Sequence, residues 1–487
     1  MDIIKDIKYY SLYFDNYYYE NNIIKTFNDI ILLNSKQLEE LKISKINKQN
    51  SINFINLLKN LNNLKSLSIE NISDNYSLFD DIAKVIKENS LNKLAINLNY
   101  FEDGINIINT NLLSLKELTL KINNKKNNNV QIFKTLFNLV NLTKLKIIAK
   151  IQIIYENDFK YLSFKKLQYL EIPLQIKATS FDFNSFFQKI PELKILKFNE
   201  IKFSKSYEIR EDKDLKLDTN LVQNLKKIKF INCKKNSSFF IIKLLQLLSK
   251  TNITDNISEI KIENCEFREN IGINDLFGNL SFFKNITNLQ INNIYFEKGQ
   301  NFFHDKMNNF EKLNKFYFKG LDIEQNNIHI LFFLSYLSEK CENLIDIGLS
   351  CKNLNSDDMN LILRKLKEFK YITKVNLFDN YTISDYYSYR DKNYFGLIDF
   401  DKVNDFYLTD LRNLNLKKNF KNIKTTSFFY PKIFINDEFH QEKNKKFSNK
   451  FERYYSYQNV FNNDSKIKIM NYSTYEKTFV ISEIINN

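Results

Sequence analysis

The chain has 487 residues, 43% of them hydrophobic, with a formal net charge of +14 and a pI near 9.1. It has 7 Gly, 3 Pro, 3 His and no Trp, which leaves little material for glycine-rich phosphate loops or histidine-built metal centres. Phe, Tyr, Ile, Lys and Asn dominate, a skew expected of an AT-rich genome, and that bias accounts for the lysine excess as readily as a binding footprint does.

The first 35 residues hold Tyr-rich stretches around Tyr9 and Tyr17 and are expected to form a cap over one end of the fold. Beyond them one frame recurs: apolar, two polar, apolar, polar, apolar. It begins at Leu38, Leu41 and Ile43, returns at Leu64, Leu67 and Ile69, and continues through Leu94, Leu118, Leu145, Leu170, Leu196, Ile228, Ile260, Leu289, Phe316, Ile347 and Val375. Apolar residues two apart share one face of a strand while the polar residues between them face water, so each unit predicts a half-buried strand. The step between anchors runs from about 24 residues to about 32, far more than one strand uses, so every unit must return by a second element.

The return is predicted helical. Ile55 to Leu61, Phe79 to Ile86, Ile132 to Phe137 and Met359 to Leu366 repeat apolar residues at three and four. The apolar runs Phe239 to Leu248 and Ile328 to Leu337 are too short to span a membrane and read as helices packed on strands. Asp80–Asp81 and Asp357–Asp358 are expected at helix starts, complementing the helix dipole.

The frame resembles the leucine-rich repeat, in particular the long, helix-containing subtype of the ribonuclease-inhibitor-like proteins. The units ending Phe230-Ile-Asn-Cys233 and Ile262-Glu-Asn-Cys265 fill the family's Asn or Cys position, as does Asn99. At Ile46, Ile72, Ile201, Ile294 and Leu321 that position is apolar, which predicts against a regular asparagine ladder. The resemblance implies an α/β leucine-rich-repeat solenoid: a curved horseshoe with parallel strands on its concave face and helices on its convex face. The expected divisions are residues 1–35 as an N-terminal cap, 36–429 as the solenoid with an insertion at 379–402, and 430–487 as a C-terminal cap or tail. Two closing strands are expected there, at Lys466 to Met470 and Thr478 to Ser482.

No HExxH, GxSxG or CxxC spacing occurs, so neither an enzyme nor a cofactor is implied. Cys233 and Cys265 stand at equivalent places in consecutive units, where buried thiols are expected, and Met1 to Lys8 lacks the apolar core of a secretory signal, which points to a cytoplasmic protein. Sequons such as Asn141-Leu-Thr143 follow from the abundance of Asn.

A non-enzymatic protein-interaction scaffold is therefore expected, binding a partner along its concave strands. The column between the core residues is basic in its middle, with Lys146, Lys197, Lys229 and Lys261, and Lys144 and Lys227 stand beside it. Such a strip suits an acidic protein segment or a nucleic-acid backbone, and Tyr317 lies in the same column. Tyr386 and Tyr387 in the Tyr-rich insertion are further candidate contacts, because tyrosine gives contact area with few rotors to freeze. An adaptor is the alternative, either an F-box-like ubiquitin-ligase substrate receptor using residues 1–35 or a GTPase-activating protein.

Overall fold

The computed structural model describes residues 9–13, 36–44, 48–70, 76–86, 91–98, 106–108, 112–123, 132–149, 161, 163–176, 181–203, 217–267, 273–292, 294–296, 310–319, 327–351, 361, 364–366, 368–372, 374–379, 405–408, 425–428, 467–473 and 478–484. The chain forms two compact units, residues 1–311 with 321–323, and residues 312–320 with 324–487.

The first unit is built on a parallel ladder whose strand order follows the sequence. Its strands are β1 (Tyr9–Tyr13), β2 (Glu40–Ser44), β3 (Ser66–Glu70), β4 (Lys93–Leu98), β5 (Glu117–Ile122) and β6 (Lys144–Ala149). It continues through β7 (Tyr169–Ile176), β8 (Ile195–Phe203), β9 (Lys227–Ile231) and β10 (Glu259–Glu263). After β11 (Glu266–Phe267) comes its last strand, β12 (Asn288–Asn292), and β13 (Tyr295–Phe296) pairs with β11 in a small second sheet. Between the strands run α1 (Lys48–Lys59), α2 (Tyr76–Ile86), α3 (Ile132–Leu136), α4 (Phe183–Gln188), α5 (Ser238–Ser249) and α6 (Ile273–Leu280).

The second unit repeats the design with β14 (Lys315–Lys319), α7 (Asn327–Lys340), β15 (Asp346–Cys351), β16 (Lys374–Asp379), β17 (Asp405–Leu408) and β18 (Thr425–Phe428), parallel and in sequence order. Where two strands were expected near the carboxy terminus, β19 (Ile467–Ser473) and β20 (Thr478–Ile484) are strands, and they form an antiparallel pair. This alternation of parallel strands and returning helices is an α/β leucine-rich-repeat-like solenoid.

The recurring apolar frame supplies the core. Leu41, Leu67, Leu94, Leu118, Leu145, Leu170, Leu196, Ile228, Ile260 and Leu289 have no exposed surface. They also occupy one register line across the ladder, each opposite the next. Helices cover this face. Phe240 of α5 meets Phe198 of β8 edge-on at 5.2 Å, while Phe198 stacks on Phe230 of β9 at 6.0 Å.

Neighbouring repeats are joined at the strand entrances. The Lys116 carbonyl accepts from both Thr143 N and Lys144 N, Lys194 O from Lys226 N and Lys227 N, and Lys226 O from Ser258 N and Glu259 N. A second clamp comes from asparagine. Asn141, Asn224, Asn256 and Asn285 each stand three residues before a strand, and each donates its Nδ2 to a carbonyl of the preceding repeat: Leu113, Pro191, Gln223 and Asp255. Asn141, read in the sequence only as part of a sequon that follows from the abundance of Asn, thus has a structural task.

One expectation is corrected. Asp80 and Asp81 lie in the interior of α2 and not at its start; Asp80 accepts from Asn106 Nδ2 of the next repeat and Asp81 pairs with Lys84 at 3.3 Å. A short run of asparagine hydrogen bonds lies just before the Cys233 and Cys265 positions: Asn264 Nδ2 donates to Asn232 Oδ1 at 3.0 Å, and Asn232 Nδ2 to Asn199 Oδ1 at 3.2 Å. Asn232 and Asn264 take positive φ, a conformation that Asn tolerates better than most residues. Asp357–Asp358 lies outside the described residues.

Asn224→Ala should lower the unfolding free energy by about 1 kcal/mol, the usual worth of one such bond. Phe198→Ala should lower it by about 3–5 kcal/mol, because a ring closed in by aromatic neighbours leaves a cavity. Urea unfolding followed by circular dichroism measures both.

Candidate functional site

On each strand the residues flanking the core positions point away from the helices, and the common register aligns them into columns. The central column of the first unit reads Lys42, Ser68, Ala95, Thr119, Lys146, Glu171, Lys197, Lys229, Lys261 and Gln290, each opposite the next. One column aside, Glu117 faces Lys144 and Lys227 faces Glu259. The register thus brings the six candidate lysines onto one open face.

What the sequence pattern did not reveal is their carboxylate partners. Lys144 pairs with Glu117 at 3.0 Å, and Lys261 with Glu263 at 2.6 Å. Glu171 serves two lysines, Lys197 at 2.8 Å and Lys146 at 3.6 Å. Glu259 likewise serves Lys227 at 2.9 Å and Lys229 at 2.5 Å. A signal was available: Glu171 interrupts the lysine column itself, and Glu259 directly precedes the core position Ile260, so it falls in the column beside the lysines.

The two shared carboxylates are sunk into the face. The Glu171 side chain is only 2% exposed and also accepts from the Tyr169 hydroxyl at 2.9 Å. Burial, and then the charge and hydrogen bond of Glu171, push the Tyr169 hydroxyl far above its usual range. For Glu259, burial pushes the carboxyl up, but hydrogen bonds and charge from Lys229 and Lys227 outweigh it, and the group sits below its ordinary value.

In the second unit Tyr317 faces Gly348, which faces Asn376. The Tyr317 ring lies across Gly348, where a Cβ would come within 2.5 Å of it. Its hydroxyl donates to Asp346 at 2.8 Å, Lys315 Nζ stands 4.5 Å from the ring centroid, and Lys315 pairs with the same Asp346 at 3.3 Å. Tyr317 is 9% exposed, its ring packed across Gly348. Tyr386 and Tyr387 lie outside the described residues.

Among the described residues no group of three or more His, Cys, Asp or Glu could hold a metal ion, and no helix is long and apolar enough to cross a membrane. Cys233, Cys265 and Cys341 are buried and in no disulfide. Burial, and then its neighbour Cys265, push the Cys233 thiol well up.

No protein-family model matches the chain, and no curated protein matches it. Among solved structures it is similar to the yeast Rad7–Elc1 complex at 14% identity and a TM-score of 0.38, covering 72% of this chain and 73% of that one. It is also similar to a TLR13–ssRNA13 complex at 16% identity and a TM-score of 0.39, covering 82% of this chain and 52% of that one. An internalin of Listeria monocytogenes str. 4b F2365 is similar at 13% identity and a TM-score of 0.35, covering 85% of this chain and 96% of that one.

A folded-state carboxyl below its unfolded value adds stability above the unfolded value and loses it as pH falls through the folded one. The stability that Glu259 contributes should therefore begin to fade as pH falls to the ordinary carboxylate value and be lost below the lowered folded one, and Glu259→Gln should flatten the acid limb of a stability–pH profile. Gly348→Ala should destabilise the second unit, and Tyr317→Ala should relieve most of that loss by removing the ring that the new methyl meets; a double-mutant cycle in urea measures the coupling.

Proposed function

We propose that this chain is a protein-interaction scaffold of the long, helix-backed leucine-rich-repeat type, and that it docks an acidic polypeptide across the open strand face. The observation that carries this reading is the shared carboxylate. Glu171 and Glu259 each offset one of the two lysines they hold, so the face formed by Lys146, Lys197, Lys227 and Lys229 keeps a positive excess although each lysine has a partner. An arriving acid therefore meets ammonium groups already positioned, at little cost in side-chain entropy.

The interleaved acids favour a polypeptide over a nucleic acid. A phosphate backbone is a continuous anion and gains affinity from an uninterrupted basic track. Here Glu117, Glu171, Glu259 and Glu263 break the track, whereas a polypeptide can place separate acidic groups between them. β1 continues the parallel ladder beside β2, which supports a capping role for the amino-terminal segment over an adaptor built from a helix pair.

Affinity capture with the intact chain tests this. Changing Lys146, Lys197, Lys229 and Lys261 together to Glu should cut recovery of acidic partners at least tenfold. The same reversal at Lys84, Lys134, Lys189 and Lys250, on the helical segments, should leave recovery unchanged. Equal recovery by the wild type and the strand-face variant would remove the reading.

A further inference from the structure

Three lysines in the middle of the face stand in direct register on successive strands: Lys197 opposite Lys229, and Lys229 opposite Lys261. Neighbouring strands are about 4.8 Å apart, so three like charges begin side by side on one surface. They avoid one another by turning to carboxylates in three directions. Lys197 reaches back along the column to Glu171 on β7, Lys229 crosses to Glu259 in the column on one side, and Lys261 turns to Glu263 on the other.

The three side chains are 19%, 27% and 22% exposed, so their stems are packed and their ammonium groups are held in place. An ammonium carries three donors, and one carboxylate partner leaves part of that capacity unused. Charge leads the same way. Glu171 and Glu259 are each shared with a further lysine, Lys146 and Lys227. Five lysines thus stand against the three carboxylates Glu171, Glu259 and Glu263, leaving a formal excess of two positive charges.

We propose that the Lys197–Lys229–Lys261 row receives a phosphate monoester, carried as phosphoserine or phosphothreonine on the docked polypeptide. A phosphate monoester brings about −1.5 to −2 charges and three strong acceptor oxygens, which matches both the excess and the unused donors. A carboxylate supplies half of that charge or little more. A nucleic-acid phosphodiester carries a single charge and fewer free oxygens, and its neighbours along the backbone would fall on the interleaved glutamates. The inference rests on the docking reading above and narrows it to a phosphorylated partner.

The test uses the full chain and three probes at matched ionic strength: blocked phosphoserine (N-acetyl-O-phosphoserine amide), blocked glutamate, and a short single-stranded RNA. Binding is read by isothermal titration calorimetry and by the shift in unfolding temperature. Phosphoserine should bind the wild type at least tenfold more tightly than glutamate does, and Lys229→Met should abolish that preference. Lys42→Met, at a lysine of the same column paired with Glu70, should retain it. Because Lys229→Met can also weaken the fold, Lys229→Arg serves as a second variant, keeping the charge and so the preference.

A wild type that shows no preference for phosphoserine, or that loses it equally in Lys42→Met, overturns the phosphate site. So does tightest binding of the RNA that depends on the same lysines. The docking reading stands or falls separately, on whether charge reversal of the strand face removes captured partners.

Discussion

The structure depends on the hydrogen bonds that lock each strand entrance to the one before it. From β2 to β12, one carbonyl of each repeat, such as Lys116 O or Lys226 O, receives two successive backbone N–H groups from the next. A strand that slipped by one residue would turn its whole apolar set toward water. Because the same bonds recur from repeat to repeat, Leu41 through Leu289 stay in one buried line and Lys42 through Gln290 in one open line. The asparagine clamps at Asn141, Asn224, Asn256 and Asn285 fasten the same joints from the side-chain level.

That register also creates an electrostatic problem. Side chains in the open column cannot choose their neighbours, and in the middle of the ladder three neighbours are lysines. Glu171 and Glu259 relieve the repulsion from buried positions. The cost of removing these carboxylates from water offsets much of the attraction they gain, so the pairs are weak sources of net stability. Their larger effect is to fix where the ammonium groups stand. The core carries stability, while the paired charges carry position.

Much of this was legible in the residues. The apolar frame placed the strands correctly because burial imposes a period of two that few other structures share. The helices at Ser238–Ser249 and Asn327–Lys340 followed from apolar runs of the right length. The pairing partners were harder to read. Whether Lys229 meets Glu259 depends on a side chain crossing between strands, and nothing in its own neighbourhood of sequence reports that. The asparagine clamps were hidden by composition, since Asn is too common for its recurrence before strands to stand out. β17 escaped notice although Val403, Phe406 and Leu408 repeat the frame, with Tyr407 in the place that Tyr317 holds in β14.

The central claim is that partners bind the open strand face and not the helical side. Lysine-directed cross-linking of captured complexes, read by mass spectrometry, measures this directly. The account predicts partner cross-links concentrated on Lys144, Lys146, Lys197, Lys227, Lys229 and Lys261. Cross-links concentrated instead on Lys84, Lys134, Lys189 and Lys250 of the helical segments would contradict it.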